Sequence, residues 1–198
     1  MPDIRITSDP HLGHPKVAEL RGFDSVEAHD DTIIRNLARG ATDDTLTWIL
    51  GDVVFGSPQH KLSGLARLRD EVPGHKRLVL GNHDPLHPAV KQNADWGPWL
   101  EVFEQIHTAA QVKHDGHTLL LSHFPYDGDN DHRADGDQSD RFEQYRLRDL
   151  GAVLLHGHTH ASTVLSTSAA GTPMVHVGLD AHQLRPVPLG MVPRLLAS

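Results

Sequence analysis

The sequence contains no cysteine, and this absence limits both the covalent and the metal chemistry open to the chain. Disulfides and thiolate-bound metal sites are excluded, so any metal ion must be held by nitrogen and oxygen ligands. No apolar run approaches the roughly 18 residues that a membrane span requires. The first segment also lacks the basic region and the apolar stretch of a secretion signal. These absences predict a soluble, cytoplasmic protein with no membrane partner.

Positive charge is scarce as well, because 18 Lys and Arg residues stand against 26 Asp and Glu residues and the formal net charge is −8. A protein that holds long nucleic acid through its phosphates needs a basic face. No Lys or Arg cluster of that kind is visible, which argues against a processive nuclease and leaves small phosphorylated molecules open as ligands. Histidine, in contrast, is abundant, with 17 residues spread along the chain.

The most informative motif is Gly81-Asn82-His83-Asp84, which directly follows the apolar run Leu78-Val79-Leu80. This pattern predicts a short buried strand that ends in a glycine turn, where polar side chains are displayed on a rigid support. Asn82 offers a neutral carbonyl oxygen to a metal ion, and His83 can carry a proton near neutral pH. Asp84 could orient a neighbouring group or cap a following helix.

Polar residues follow two further predicted strands in the first half of the chain. Asp9 and His11 come after the alternating segment 3–8, and Gly51-Asp52 comes after the segment 45–50. In an extended chain, residues i and i+2 point the same way. Asp9 and His11 could therefore bind one ion together.

Two predicted strands in the second half end in imidazoles. His123 follows the strand predicted at 117–122, and His156-Gly157-His158-Thr159-His160 follows the buried strand predicted at 152–155. In a regular strand His158 and His160 would share a face. At a tip broken by glycine they can diverge and bind two different ions.

The order of the predicted elements indicates an α/β fold. Strands at 3–8, 45–50 and 76–81 alternate with helices at 25–39 and 57–72, which implies parallel pairing with right-handed crossovers. The tips of such strands lie on one edge of the sheet, where ligands bind. The residues expected to converge there are Asp9, His11, Asp52, Asn82 and His83.

The second half is predicted to form an antiparallel-leaning sheet. Its expected strands are 101–106, 109–114, 117–122, 152–155, 162–167 and 172–178, with helices at 84–94 and 139–150. The acidic segment 127–140 is predicted to be an exposed loop, and its spacing does not match an EF-hand calcium site. With no internal repeat and no linker, we expect residues 1–198 to form one domain.

Together, these blocks resemble the calcineurin-like metallophosphoesterase family. The blocks, in the family's order, are Asp9-x-His11, Gly51-Asp52, Gly81-Asn82-His83-Asp84, Ser122-His123 and Gly157-His158-Thr159-His160. They extend over residues 3–180 and look closest to the small stand-alone members of bacteria and phages. For a phage protein, the cytoplasm would be that of the host. The resemblance implies a four-layer αββα sandwich of two mixed β-sheets flanked by helices.

The resemblance also implies a dinuclear metal centre. The ligands that it assigns to the first ion are Asp9, His11 and His160, and those that it assigns to the second are Asn82, His123 and His158. Asp52 would bridge the ions, since two divalent cations about 3.5–4 Å apart need an anion between them. Nitrogen and oxygen ligands suit Mn²⁺, Fe²⁺ or Zn²⁺ better than Ca²⁺. We expect Mn²⁺, with Fe²⁺, Zn²⁺ and Mg²⁺ as the alternatives.

The implied activity is that of a phosphodiesterase acting on small nucleotides, including cyclic nucleotides, by attack of a metal-bound hydroxide. His83 would be the catalytic residue that protonates the leaving oxygen or stabilises charge on the phosphate. The alternatives are a phosphomonoesterase and a non-catalytic metal-binding or scaffolding domain. Phe55 occupies the position of a second acid in the protein-phosphatase branch, which argues against that branch. The expected substrate contacts are His14, Tyr126 and Arg133.

Overall fold

The computed structural model describes residues 3–90, 94–129 and 141–197. The strands within these residues are β1 (Ile4–Thr7), β2 (Leu46–Ile49), β3 (His75–Val79), β4 (Gln105–His107), β5 (Ala110–His114), β6 (His117–Leu121), β7 (Val153–His156), β8 (Leu165–Thr167), β9 (Pro173–His176) and β10 (Val187–Pro188). The α-helices are α1 (Pro15–Leu20), α2 (Val26–Ala38), α3 (Pro58–Glu71), α4 (Gly97–Leu100) and α5 (Val192–Leu196). None of the helices in the described residues is long and apolar enough to cross a membrane.

The strands form two five-stranded sheets, each with mixed pairing. In the first sheet the order is β10-β1-β2-β3-β4, with β1 to β4 parallel and β10 antiparallel. In the second it is β5-β6-β7-β9-β8, with β6, β7 and β9 parallel and both outer strands antiparallel. The predicted fold of two mixed sheets flanked by helices is therefore confirmed. The second sheet contains more parallel pairing than its sequence pattern indicated.

The alternation of side chains along β2 and the residue after it, Leu50, explains how the sheet packs against a layer on each side. Trp48 and Leu50 face the second sheet and belong to a buried cluster that includes Leu121 and Leu155. Ile49 points the opposite way, into a cluster built with the helices. Because successive strand residues face opposite sides, both faces of this sheet are buried.

Each of the two long helices follows a serine that caps its first turn. Ser25 Oγ accepts the backbone N–H of Ala28 at 3.1 Å, and Ser57 Oγ accepts that of His60 at 3.3 Å. These bonds satisfy N–H groups that a helix start leaves without partners. The buried apolar side chains of the two helices are Ile33, Ile34, Leu37, Leu65 and Leu68.

Three predicted elements are wrong. Residues 84–90 form successive turns instead of a helix, because Pro85 and Pro88 supply no N–H donors there. The helix predicted at 139–150 is a single 3₁₀ turn at Glu143–Tyr145 within the described part of that range, and Phe142 before it has the left-handed backbone angle φ 57°. The strand predicted from residue 101 begins only at Gln105.

The tail, for which no element was predicted, completes both the first sheet and the core. Val187 pairs with Ile6 at the edge of that sheet. Leu189 and Val192 are buried in the cluster between the two sheets. Burial of these side chains determines the path of a segment whose sequence has no clear periodicity.

Segments that follow parallel strands of both sheets meet along one edge of the sandwich, and backbone contacts join several of them. A parallel bridge links Ser8 after β1 to Gly178 after β9. The Asp9 N–H donates to Gly51 O at 3.1 Å, and the Gly157 N–H donates to His123 O at 3.0 Å. The polar residues after these strands are thereby held close together.

Candidate metal centre

The predicted ligands assemble into two neighbouring groups that could hold metal ions. The first group contains Asp9, His11 and His160, and the second contains Asp52, His123 and His158, with the donor atoms of each group within 4.8 Å of one another. Asn82 adjoins the second group, because its Oδ1 lies 3.1 Å from His123 Nε2. All seven residues therefore lie at one place, although they come from five separate segments of the chain.

Asp52 stands between the two groups. Its Oδ2 lies 3.7 Å from His11 Nε2 in the first group and 3.4 Å from His123 Nε2 in the second. Its Oδ1 accepts the backbone N–H of His83 at 2.8 Å. One oxygen of this carboxylate is thus directed towards both sets of ligands. The hydrogen bond to the other oxygen fixes the orientation of the Asp52 side chain.

The donor atoms fit cations. Oδ1 of Asp9 is buried, has no hydrogen-bond partner among the described residues, and lies 3.9 Å from both His11 Nε2 and His160 Nε2. Those two nitrogens are 3.1 Å apart, and His123 Nε2 lies 3.1 Å from His158 Nδ1. Nitrogen lone pairs that converge in this way, next to a carboxylate without a partner, form a suitable environment for a divalent ion.

Five of the ligands have backbone angles in the left-handed region. They are Asp9 (φ 59°), His11 (φ 49°), Asp52 (φ 55°), His158 (φ 71°) and His160 (φ 52°). This conformation is uncommon outside glycine and costs of order 1–3 kcal/mol per residue. Strain of this kind concentrates at functional sites, and here it turns the ligand side chains towards each other.

Two motif glycines are required by close packing at the centre. A Cβ atom on Gly81 would collide with the carboxylate of Asp52, and one on Gly157 would collide with Ser8 and the carboxylate of Asp9. Only a residue without a side chain fits either position. These contacts explain why glycine precedes Asn82 and His158.

In three of the four ligand imidazoles, the nitrogen that faces away from the centre is bound to an oxygen. His158 Nε2 lies 2.8 Å from Asp129 Oδ2, and His160 Nδ1 lies 2.9 Å from Asp180 Oδ2. His123 Nδ1 lies 2.7 Å from a backbone carbonyl, to which it must donate. These bonds set the tautomer, so that the other nitrogen of each ring is free to bind a metal ion.

The two carboxylates that bind these histidines, Asp129 and Asp180, are themselves paired with arginine. Arg21 binds Asp180 through two hydrogen bonds of 2.8 and 2.7 Å. Arg141 and Arg146 both contact Asp129. Burial raises the pKa of each carboxyl group, but the hydrogen bonds to histidine and arginine outweigh it, and both pKa values are lowered. The two carboxylates therefore remain charged and can hold their histidines.

The charges of the buried ligand residues favour a cation next to Asp52. Burial lowers the pKa of His11 to about 3, so this ring is neutral. Burial also opposes the charged form of His123, but the carboxylate of Asp52 more than compensates and raises its pKa to about 9. The pKa of Asp52 itself is lowered, because the neighbouring histidines outweigh its burial. The attraction that favours a proton on His123 would equally favour a metal cation.

Asp84 does not cap a described helix, so the capping prediction is wrong, but it does orient neighbouring groups. Its buried carboxylate accepts the N–H groups of Gly81, Asp52 and Val53 at 2.8, 3.0 and 3.0 Å. It therefore fixes the loop after β2 to the loop after β3. Burial, and then the charge of Asp52, raise its pKa to about 7.

His83 and His14 lie beside the first metal-ligand group. Their ring centroids are 5.8 and 5.4 Å from that of His11, and the ring of His14 stacks on Phe55 at 3.8 Å. The side chain of His83 is exposed. Both imidazoles could therefore reach a molecule bound at the centre, and their roles stay predictions.

The expected substrate contact by Tyr126 is wrong. Its side chain packs with Leu154 and Met174 on the outer face of the second sheet, and only 7% of the residue is exposed. Its hydroxyl group donates to Ala152 O at 2.8 Å. The chain turns away from the centre between His123 and Tyr126. Arg133 lies outside the described residues.

Sequence reasoning missed Asp129, Asp180 and Arg21. Asp180 follows a strand tip in the same way as the other ligands, so the position after β9 was an available signal. Asp129 had no distinguishing signal within its acidic segment, which was predicted to be exposed. The prediction is wrong at this residue, because Asp129 is 3% exposed. Residues 130–140 of that segment lie outside the described residues.

Comparisons with known structures bear on the fold alone. The protein AQ665 of Aquifex aeolicus, whose function is unknown, matches with a TM-score of 0.68 and 20% identity over 98% of both chains. The phosphoesterase YfcE of E. coli matches with a TM-score of 0.41 and 18% identity, covering 95% of this chain and 82% of its own.

Sequence comparison identifies closer relatives in phages. No family model matches the chain. The Gene 66 protein of Mycobacterium phage L5 is 40% identical over 190 residues, which are 91% of this chain and 88% of that protein. The Gene 66 protein of Mycobacterium phage D29 is 41% identical over 94% of this chain and 93% of its own length. With this identity along nearly its whole length, the chain belongs to the family of the mycobacteriophage Gene 66 proteins.

Proposed function

We propose that the protein is a calcineurin-like metallophosphoesterase that hydrolyses phosphate diesters of small nucleotides, cyclic nucleotides among them, with two divalent ions, for which we expect Mn²⁺. The observation that carries the proposal is the position of Asp52. One of its oxygens faces imidazoles of both ligand groups, at 3.7 and 3.4 Å. A carboxylate in this position is what a pair of neighbouring cations requires.

The protein residues supply binding and orientation. Asp9, His11 and His160 would hold one ion, while Asn82, His123 and His158 would hold the other. When bound, the ions supply Lewis-acid activation of the phosphate and of the attacking water. The hydrogen bonds to Asp129, Asp180 and the backbone keep three of the ligand histidines, His158, His160 and His123, in the required tautomers.

His83 is the proposed proton donor to the leaving oxygen. Its backbone N–H binds Asp52, which places the imidazole beside the ligand groups, while the side chain remains accessible. A positioned histidine can transfer a proton near neutral pH. His14 is proposed to contact the substrate from the neighbouring loop.

The charges around the centre favour a diester over a monoester. Arg21 is paired with Asp180, and Arg141 and Arg146 are paired with Asp129, so these cations are already neutralised. Phosphate binding would therefore depend on the ions, whose charge is partly neutralised by Asp9 and Asp52. A diester carries one negative charge, which such a centre can balance more readily than the second charge of a monoester.

The test is hydrolysis of bis-p-nitrophenyl phosphate and p-nitrophenyl phosphate by the Mn²⁺-loaded protein. We expect the diester to be cleaved faster. We expect His83→Ala to reduce the rate about 10²–10⁴-fold, the usual contribution of a general acid. Metal analysis should show that this variant keeps both ions.

His117→Ala provides the matched control, because His117 is an exposed histidine at the opposite end of the second sheet. It should retain the wild-type rate. Faster cleavage of the monoester would replace the proposal by a phosphomonoesterase. If neither compound is cleaved, the remaining alternative is a non-catalytic metal-binding domain.

A further inference from the structure

A second polar site lies behind the metal centre, on the outer face of the second sheet. It is a cavity of about 360 Å³ between the loop at 125–129, the segment at 159–163 and the hairpin of β8 and β9. Cavities of this size accommodate small ligands. His156 and His176 both line it.

These two histidines are buried but incompletely hydrogen-bonded. They are 3% and 2% exposed, occupy paired positions on β7 and β9, and have ring centroids 5.2 Å apart. His156 Nδ1 lies 3.0 Å from Gly157 O, to which it must donate, so its Nε2 is an acceptor. Among the described residues, this Nε2 and both ring nitrogens of His176 have no partner.

Buried polar groups without partners are rare because each costs about 1–3 kcal/mol. The nitrogens themselves have almost no exposed surface, so a ligand in the adjoining cavity would satisfy them only after the imidazole rings turn towards it. A metal ion is not favoured, since the groups with metal-ligand spacing in the described residues include neither His156 nor His176. An anion is not favoured either, because the described lining contains Asp127 and Asp129 but no lysine or arginine.

The ligand class that remains is an uncharged molecule with its own hydrogen-bond donors and acceptors. Neutral imidazoles offer both kinds of group. The cavity is also lined by Thr159 and Thr163, which carry hydroxyl groups. Pro125 and Met174 add apolar surface. The edge of a nucleobase carries adjacent donors and acceptors, and its faces are apolar.

The cavity also shares a wall with the metal centre. Asp129 lines the cavity and binds His158 Nε2 at 2.8 Å. Thr159 lines it as well and lies in the chain between His158 and His160. An uncharged group in the cavity would therefore be adjacent to a phosphate held at the centre.

We propose that this cavity binds the nucleobase of the phosphate-ester substrate, with His156 and His176 as the recognition groups. The proposal rests on the function proposed above and names the part of the substrate that would give specificity. It assigns a role to two histidines that the metal centre does not use.

The first test is binding of uncharged nucleosides, which does not depend on hydrolysis. Uridine, cytidine, adenosine and guanosine would be titrated into the protein by calorimetry, with the imidazole signals of His156 and His176 followed by NMR. We expect saturable binding of at least one nucleoside, with shifts of both imidazole signals. Absence of binding, with only ordered water in the cavity, would overturn the proposal.

The second test uses two variants of the cavity and a matched control. His176→Phe keeps a ring but removes its nitrogens, and Thr163→Trp fills the rim with less risk to folding, because Thr163 is exposed. Thr118→Trp makes the same change at an exposed strand position far from the cavity. We expect both cavity variants to weaken nucleoside binding about tenfold, the effect of losing one or two neutral hydrogen bonds.

The kinetic comparison separates this proposal from the proposed function. The p-nitrophenyl 5′-phosphate ester of the nucleoside that binds carries a base, whereas bis-p-nitrophenyl phosphate does not. We expect the ratio of their kcat/KM values to fall about tenfold in both cavity variants, through KM, and to stay unchanged in Thr118→Trp. An unchanged ratio in the cavity variants would overturn the role of the cavity. Failure of the wild type to cleave either ester would overturn the proposed function, whatever the nucleoside titrations show.

Discussion

The two ligand groups differ in how far they are open to solvent. In the first, the side chain of His160 is 35% exposed, although Asp9 and His11 are buried. In the second, Asp52, His123 and His158 are all buried. The carboxylates that bind the ligand histidines differ as well, because within the described residues Asp180 is paired with one arginine and Asp129 with two. The comparison indicates a more exchangeable first site and a more rigidly held second site.

The largest expected effect comes from the residue that the two groups share. Asp52→Asn keeps the shape of the side chain and an acceptor for the His83 N–H but removes the charge. We expect fewer than two bound ions and a loss of activity of about 10²–10⁴-fold, since a catalytic metal ion contributes several kcal/mol. Metal analysis and the diester assay would measure both.

Asp44→Asn is the control for this change, because Asp44 is an exposed carboxylate before the same strand. It should have neither effect. Two ions and full activity in Asp52→Asn would show that the groups do not depend on a shared anion.

Two further substitutions should each weaken metal binding at one ligand group only, with a smaller effect than the loss of the Asp52 charge. Asp129→Asn would weaken the support of His158, and Asp180→Asn would weaken that of His160. We expect each variant to lower metal affinity at its own group by about 10–100-fold, the usual consequence of removing such a partner. Calorimetric titration of Mn²⁺ into each metal-free variant should show one weakened class of site and one unchanged class. Equal weakening of both classes in each variant would contradict the assignment.

Exposure should also make the two ions leave at different rates. On addition of a chelator to the Mn²⁺-loaded protein, we expect two phases of release, with the ion of the first group leaving first. Stopped-flow measurement with a fluorescent chelator would resolve them. Asp180→Asn should accelerate the fast phase and leave the slow phase unchanged. Release in a single phase would remove the proposed difference between the groups.

The smallest effect is expected at Tyr126, which is only three residues from His123 in the sequence but packs on the outer face of the second sheet. Tyr126→Phe removes one hydrogen bond to a backbone carbonyl, which should lower the free energy of unfolding by about 1 kcal/mol. Activity and metal content should not change. Thermal denaturation and the diester assay would test this, and a reduced rate of hydrolysis would restore Tyr126 as a substrate contact.

The sequence was informative where a site residue directly follows a buried strand. Asp9, Asp52, Asn82 and His123 all follow this rule, and the ends of parallel strands gather at one edge for physical reasons. The long helices were predictable for a similar reason, since Ser25 and Ser57 provide local start signals.

The missed features depend on contacts between distant segments. Asp129 acquires its role only because its loop packs against His158, 29 positions later in the chain. The left-handed angles at Asp9 and His158 are imposed by the surrounding structure. Asp and His adopt such angles more often than most residues, but residue type alone does not locate them. Tyr126 was misplaced because the pattern after His123 does not show where the chain turns away.

The most direct test of a paired metal centre is anomalous X-ray diffraction from crystals grown with Mn²⁺. The account predicts two strong peaks, one within each ligand group, with the carboxylate of Asp52 in contact with both. A single peak, peaks outside the two groups, or an Asp52 side chain directed away from the ions would contradict it.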